Sequence, residues 1–279
     1  MKTFTRVWLI ISLLAIGIGA VVLIVAAIYG IKWRKINNHS FYERYENVES
    51  LDFEFSHGKV TIREGDAFSI EAKNVPEKFF KSYVSNGVWY IREKYGIFNI
   101  IDLDIRDINI FGLRFADGSR EITITLPRDF TARKCDLDIG AGKVDVKAIY
   151  AEEGKFRVGA GELDIQQLRI TRRSEYEVGA GSMTIGNIAA HDAEVECGLG
   201  EIKIKGCLTG DNVIKCGIGR IELDLEGDER DYSYELSSGL GNVVIDKHSY
   251  SHVNKKIDNN ADSMLVLECG IGNINVDFH

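Results

Sequence analysis

Along the second half of the chain, apolar residues recur in a pattern that changes phase at pairs of glycines. Seven Gly-x-Gly triplets punctuate it: Gly140/Gly142, Gly159/Gly161, Gly179/Gly181, Gly198/Gly200, Gly217/Gly219, Gly239/Gly241 and Gly270/Gly272. Their first glycines lie 19, 20, 19, 19, 22 and 31 residues apart. Three positions before each triplet stand Leu137, Phe156, Tyr176, Val195, Ile214, Leu236 and Leu267. Immediately before it stand Ile139, Val158, Val178, Cys197, Cys216, Ser238 and Cys269. Four after the first glycine come Val144, Leu163, Met183, Ile202, Ile221, Val243 and Ile274; six after it come Val146, Ile165, Ile185, Ile204, Leu223, Ile245 and Val276. Within each flank the spacing of two is the strand period. The jump of phase across the triplet calls for a tight bend or bulge, with the 14 glycines as structural turn residues supplying φ > 0.

A period of about 19 residues holds two or three short strands and their corners, and a fixed period is the mark of stacked repeats. The expectation is an all-β, single-stranded β-solenoid, one coil per triplet, each coil stacked on the one before it in sequence. A twisted sandwich of antiparallel hairpins is the alternative; columns that recur at near-constant period favour stacking. Upstream, 48–134 reads as an irregular β region of the same body, followed by the repeat region 135–279. Phe53 to Ile62 fits the repeat columns with Ser56 in place of the first glycine. Gly87–Ile91 and Glu121–Leu126 read as further strands. Ile97 to Phe115 alternates apolar residues with Asp102, Asp104 and Asp107 and reads as a buried hairpin, since an exposed apolar arm would invite edge pairing.

The amino end reads differently. Val7 to Tyr29 is 23 residues without a charge, about 34 Å as a helix, enough for a ~30 Å hydrocarbon core. It is longer than the apolar region of a cleaved signal peptide, and no small-x-small cleavage site follows. The organisation expected is a short tail over 1–6, a transmembrane helix over 7–29 and a juxtamembrane linker over 30–47. Basic residues flank both ends of the span (Lys2 and Arg6; Lys32, Arg34 and Lys35), so the positive-inside rule leaves orientation open.

Composition narrows the function. No acidic residue precedes Ile36, and the chain beyond it carries 29 basic and 42 acidic side chains. A body that acidic is a poor match for nucleic acid or an anionic lipid surface. With only two prolines, long uninterrupted pairing is permitted.

Candidate chemistry is sparse. Cys197, Cys216 and Cys269 share one apolar column, and Cys207 falls where Ile149, Leu168 and Ile188 stand in other copies, so four of the five cysteines read as small core hydrophobes. No C-x2-4-C pair suggests a metal site. Cys197 and Cys216 lie one coil apart, which also admits a disulfide. The glycines do not extend to G-x-G-x-x-G, since Asp145, Asp164 and Thr184 occupy the third position, and no phosphate-loop motif occurs. His248 and His252 fall in the insertion Asp246–Ser263, read as a solvated loop. The Asp145/Asp164 column continues as Thr184, Lys203 and Glu222, a mixture that reads as a solvent face. The expectation is no catalytic, cofactor or metal residues and no enzyme activity.

The apolar amino-terminal stretch, the β segment ending Ile124-Thr125-Leu126-Pro127 and the Gly-x-Gly-polar-apolar-polar-apolar coils together resemble a bacterial family, the putative-adhesin β-strand-repeat domain of unknown function common in Firmicutes. The resemblance covers roughly Val48 to Phe278. It implies an extracytoplasmic β-solenoid tethered to the cell membrane, with relatives linked to adhesion or envelope stress and no catalytic residues to carry over. The cysteine column departs from the family pattern. The leading expectation is a non-enzymatic surface protein, single-pass, binding or scaffolding through an open coil edge at the C-terminus (with self-association there), through the Asp246–Ser263 insertion or through Ile97–Phe115. The alternative is an intracellular polymerising scaffold resembling bactofilins.

Overall fold

The computed structural model describes residues 38–93 and 120–279. The span expected over 7–29 and the hairpin expected over 97–115 lie outside the described residues, none of which forms a helix long and apolar enough to cross a membrane. The described chain is all β, with one 3-10 turn at Glu229–Asp231.

Each triplet is a corner between two strands. β8 (Ala132–Ile139) runs into the first triplet and the long β9 (Lys143–Val158) leaves it; β9 in turn runs into the second triplet. The pattern continues with β10 (Glu162–Ile170), β11 (Ser174–Val178), β12 (Ser182–His191), β13 (Ala193–Cys197), β14 (Glu201–Thr209), β15 (Asp211–Cys216) and β16 (Arg220–Leu225). Strands entering the triplets pair in parallel on one face, and strands leaving them pair in parallel on a second face. The columns are in register: Leu137, Phe156, Tyr176, Val195 and Ile214 stack on one face, and Val144, Leu163, Met183, Ile202 and Ile221 on the other. All ten are buried in one core. The phase jump follows: the chain turns a corner, so the residue before it and the residue four after its first glycine both face inward.

The stack extends upstream as the pattern predicts. β2 (Ser50–Phe55) and β3 (Lys59–Gly65) set Phe53 on Leu137, Phe55 on Ile139, Val60 on Val144 and Ile62 on Val146, with Ser56 at the first-glycine position. β6 (Val88–Glu93) and β7 (Glu121–Pro127) add one more level on β2 and β3. Antiparallel strands then finish this end: β5 (Phe80–Ser85) on β6, β4 (Phe68–Pro76) on β7, and β1 (Asn38–Tyr45) on β4. From Asn38 onward the segment expected to be linker is therefore a strand. Only alternate positions of β1 meet the core, Phe41 and Tyr45 among them, and the polar residues between them hide the pattern.

At the other end the order departs from the sequence. The sixth copy supplies β17 (Tyr232–Ser238) and β18 (Asn242–Ile245); the seventh supplies β21 (Ser263–Cys269) and β22 (Asn273–Phe278). β15 and β16 pair with β21 and β22, and those pair in turn with β17 and β18. The C-terminal copy thus lies inside the stack, between the fifth and the sixth, and is not an open edge. The insertion explains why. Asp246, at φ 47, starts a tight turn into β19 (His248–Ser251), which pairs antiparallel with β18; β20 (Asn254–Ile257) pairs antiparallel with β17. With those edges occupied, the last copy has a free ladder only on its other side, in the gap left beside β15 and β16. The insertion expected as a solvated loop is the cap of the stack.

Two local expectations change as well. None of the 14 triplet glycines has a φ in the left-handed region; Gly58, the counterpart of Gly142, does at 98°. Glycine is required by close approach instead. A Cβ on Gly161, Gly181, Gly200, Gly219 or Gly272 would overlap the carbonyl oxygen of the second glycine one level below. Cys207 is also displaced from the core column: the register shifts between Ile185 and Ile188, so Gly206 lies beside Ile188 and Leu208 takes the buried position.

Candidate interaction surface

Because glycines flank it, the middle residue of each triplet stands out from the corner. The backbone beneath is rigidly laddered: Leu199 N–H donates to the Gly179 carbonyl at 2.7 Å, Ile218 to Gly198 at 2.8 Å and Ile271 to Gly217 at 2.8 Å. The first three middle residues are Ala141, Ala160 and Ala180; the next are Leu199, Ile218, Ile271 and Leu240, taken in stack order. These four are 58–73 % exposed and occupy consecutive levels. At an interstrand spacing of about 4.8 Å they form an aliphatic ridge about 14 Å long. The interior position of the seventh copy makes the ridge continuous. The apolar columns draw attention away from these residues; the change of the middle letter from alanine to leucine or isoleucine is the signal that would find them.

Charged side chains beside the ridge form ion pairs along the stack. Lys215 bridges Glu194 and Glu196, both at 2.8 Å; Lys203 meets Glu201 at 3.2 Å and Arg220 meets Glu222 at 3.4 Å. The Lys215 ammonium holds the Glu194 carboxyl below its usual range. The Asp145, Asp164, Thr184, Lys203 and Glu222 column runs in register along the second face, its charges shared with neighbours such as Lys143.

Beneath the ridge lies the cysteine column. Cys197, Cys216 and Cys269 are in register, followed by Ser238, and all five cysteines are free thiols. Each sulfur of the column fills space beside the second glycine one level up: Cys197 at Gly219, Cys216 at Gly272 and Cys269 at Gly241. Val178 does the same at Gly200. The thiols therefore take the place of a branched aliphatic methyl.

At the same corner, on the amino-terminal side, Glu93 and Arg120 form a buried ion pair. The Glu93 carboxylate accepts the Ser56 backbone N–H at 2.9 Å and lies 3.4 Å from His57 Nδ1. Burial pushes the Arg120 guanidinium down to about 10, still charged at neutral pH. These residues are far apart in sequence and join the ends of strands β6 and β7 to the Ser56–Gly58 corner, a pairing no local pattern announces. His248 lies in β19 and His252 in the turn after it. Among the described residues, no group of three or more His, Cys, Asp or Glu side chains is placed to hold a metal ion.

The fold is that of a bacterial domain of repeated β structure. The family model for the toastrack domain DUF4097 matches residues 56–277, and the chain belongs to that family, in agreement with the resemblance read from its repeats. No curated protein matches the chain. Among solved structures, it is similar to one described as a putative adhesin from Bacteroides fragilis NCTC 9343, at 12% identity and TM-score 0.44 over 88% of this chain and 99% of that one. It is also similar to one described as a putative cell adhesion protein from Clostridium sporogenes ATCC 15579, at 13% identity and TM-score 0.31 over 87% and 100%. A third, described as a putative lipid binding protein from Parabacteroides distasonis ATCC 8503, shares 13% identity at TM-score 0.37 over 86% and 97%.

Proposed function

We propose that this chain is a non-enzymatic, single-pass membrane protein of the cell envelope whose β-solenoid stands outside the membrane and docks an apolar groove of another polypeptide through the Leu199–Ile218–Ile271–Leu240 ridge. The observation that carries this reading is the ridge itself, four large aliphatics held in water on a laddered backbone that cannot fold them inward. A polypeptide suits it better than the alternatives. The neighbouring charges are already paired and the body is acidic, which gives anionic headgroups no attraction. The anchoring role of Val7–Tyr29 and the placement of the body outside the membrane are part of the proposal. Against the polymerising, bactofilin-like reading, both ends of the described stack finish in antiparallel strands, and the cap carries Lys247, Lys255 and Lys256, residues that discourage edge pairing.

A photo-crosslinking residue at Leu199 in the cell-borne chain tests this, with one at the exposed Lys147 as control. The expected result is a discrete polypeptide adduct from position 199 only, at least about 100-fold weaker when Ile218, Leu240 and Ile271 are all serine, given about 1 kcal/mol or more for each aliphatic removed. Adducts only to lipid, only to a second copy, or equally from position 147 would overturn it. Protease added to intact cells should degrade the body; complete protection would overturn the placement outside.

A further inference from the structure

We propose that Cys197 and Cys216 are a redox couple that closes to an intrachain disulfide, tying the fourth coil to the fifth beneath the ridge. The two residues are in-register partners on adjacent parallel strands, so their Cα atoms lie about 4.8 Å apart, inside the range a disulfide spans. Their Cβ atoms start at about that spacing, beyond the range of about 3.5–4.5 Å that a disulfide spans, so closing the bond must draw the two strands together locally.

The Cys216 thiol and the backbone N–H groups of Gly200 and Arg220 draw the Cys197 pKa down, so Cys197 is taken as the attacking thiolate. Cys269, the third member of the column, commits its own thiol to the Gly272 carbonyl at 3.1 Å and stands two levels from Cys197.

The oxidant is a small-molecule disulfide. The Cys197 thiolate attacks one of its sulfurs and expels a thiolate, giving a mixed disulfide. Cys216 then gives up its proton and attacks the Cys197 sulfur, expelling the second thiolate. The two expelled thiolates take up the two protons the cysteines lose, so one external disulfide becomes two thiols and two protein thiols become one disulfide. Both cysteines are buried, so the reaction waits on local opening of the Gly198–Gly200 corner. The bond would hold Leu199 and Ile218 on one covalently closed pair of coils, making the stiffness of the ridge depend on the redox state outside the protein.

The test incubates the purified full-length chain with oxidised glutathione, alkylates the remaining thiols under denaturing conditions and maps the peptides. The expected result is a loss of two of the five thiols to a Cys197–Cys216 bond that dithiothreitol reverses. Cys269→Ser should leave that bond intact. Cys216→Ser should abolish it and leave Cys197 held as a mixed disulfide with glutathione, because Cys269, about 10 Å from Cys197, cannot resolve it. Serine already stands in this column at Ser238, so both variants are compatible with folding. Five unreacted thiols, a Cys216–Cys269 bond, or cross-linking between chains through Cys207 would each overturn the proposal.

Discussion

Gly200→Ala is expected to cost about 3 kcal/mol of stability, whereas Gly198→Ala, two residues away in the same turn, should cost about 1 kcal/mol. The difference comes from what each missing Cβ leaves room for. At Gly198 the nearest atom is the Gly179 carbonyl oxygen at 2.9 Å, a single backbone contact that forces a small shift of that level, and at Gly217 the matching distance is 3.1 Å. At Gly200 the new methyl would overlap the Gly181 carbonyl oxygen and also meet Val178 Cγ1 at 2.7 Å, so backbone and core would both have to shift. The Gly181 backbone cannot yield alone, because its carbonyl accepts the Glu201 N–H. The same asymmetry should recur at Gly217 against Gly219. Urea midpoints at unchanged m-value would measure it; equal, small costs at both glycines would mean that the coils do not stack as closely as described.

Ending the chain after Asp258 should unfold far more than the copy it removes. A stack built in sequence order would lose only a terminal coil, and only the sixth copy would lose a neighbour. Here the deletion empties an interior level. β15 and β16 lose their partners β21 and β22, and β17 with β18 is left about 10 Å away with nothing between. Since each level depends on its neighbours, the distal part should lose cooperative unfolding, with a fall in Tm of at least about 10 °C. Leu267→Ala separates the two orders without truncation. Leu267 is buried between Ile214 and Leu236, so the cost should be that of an interior leucine, about 3 kcal/mol. A cost below about 1 kcal/mol would place the residue at an edge.

The columns made most of the repeat body legible. A side chain at a fixed offset from the triplet must face the same way in every coil, and the in-register stacks of Leu137 and Val144 with their counterparts follow. The same uniformity hid the order of the coils. Leu236 and Leu267 are interchangeable by type and offset, so only the long intervals of 22 and 31 residues marked the place where the chain skips a level and returns. The triplet glycines were found for their position, with the wrong physical reason: the phase jump suggested positive φ, whereas backbone packed on backbone is the constraint. Cys207 was misplaced because a one-residue register shift in a neighbouring strand leaves no trace in spacing; Gly206, at φ 130, is its mark. The ridge sits at the middle letter of the triplet, outside the buried apolar columns, and the Glu93–Arg120 pair joins residues that only the fold brings together.

The order of the coils is tested most directly by cysteine cross-linking on the outer surface of the second face. Glu222 and Asn275 are in-register neighbours, and Asn275 is likewise the neighbour of Val244, so Glu222 and Val244 are separated by a full level. A chain carrying cysteine at 222 and 275 should form the bond between those two positions, identified by peptide mapping, and one carrying cysteine at 222 and 244 should not. Bonding of 222 to 244 without bonding of 222 to 275 would contradict the interleaved stack.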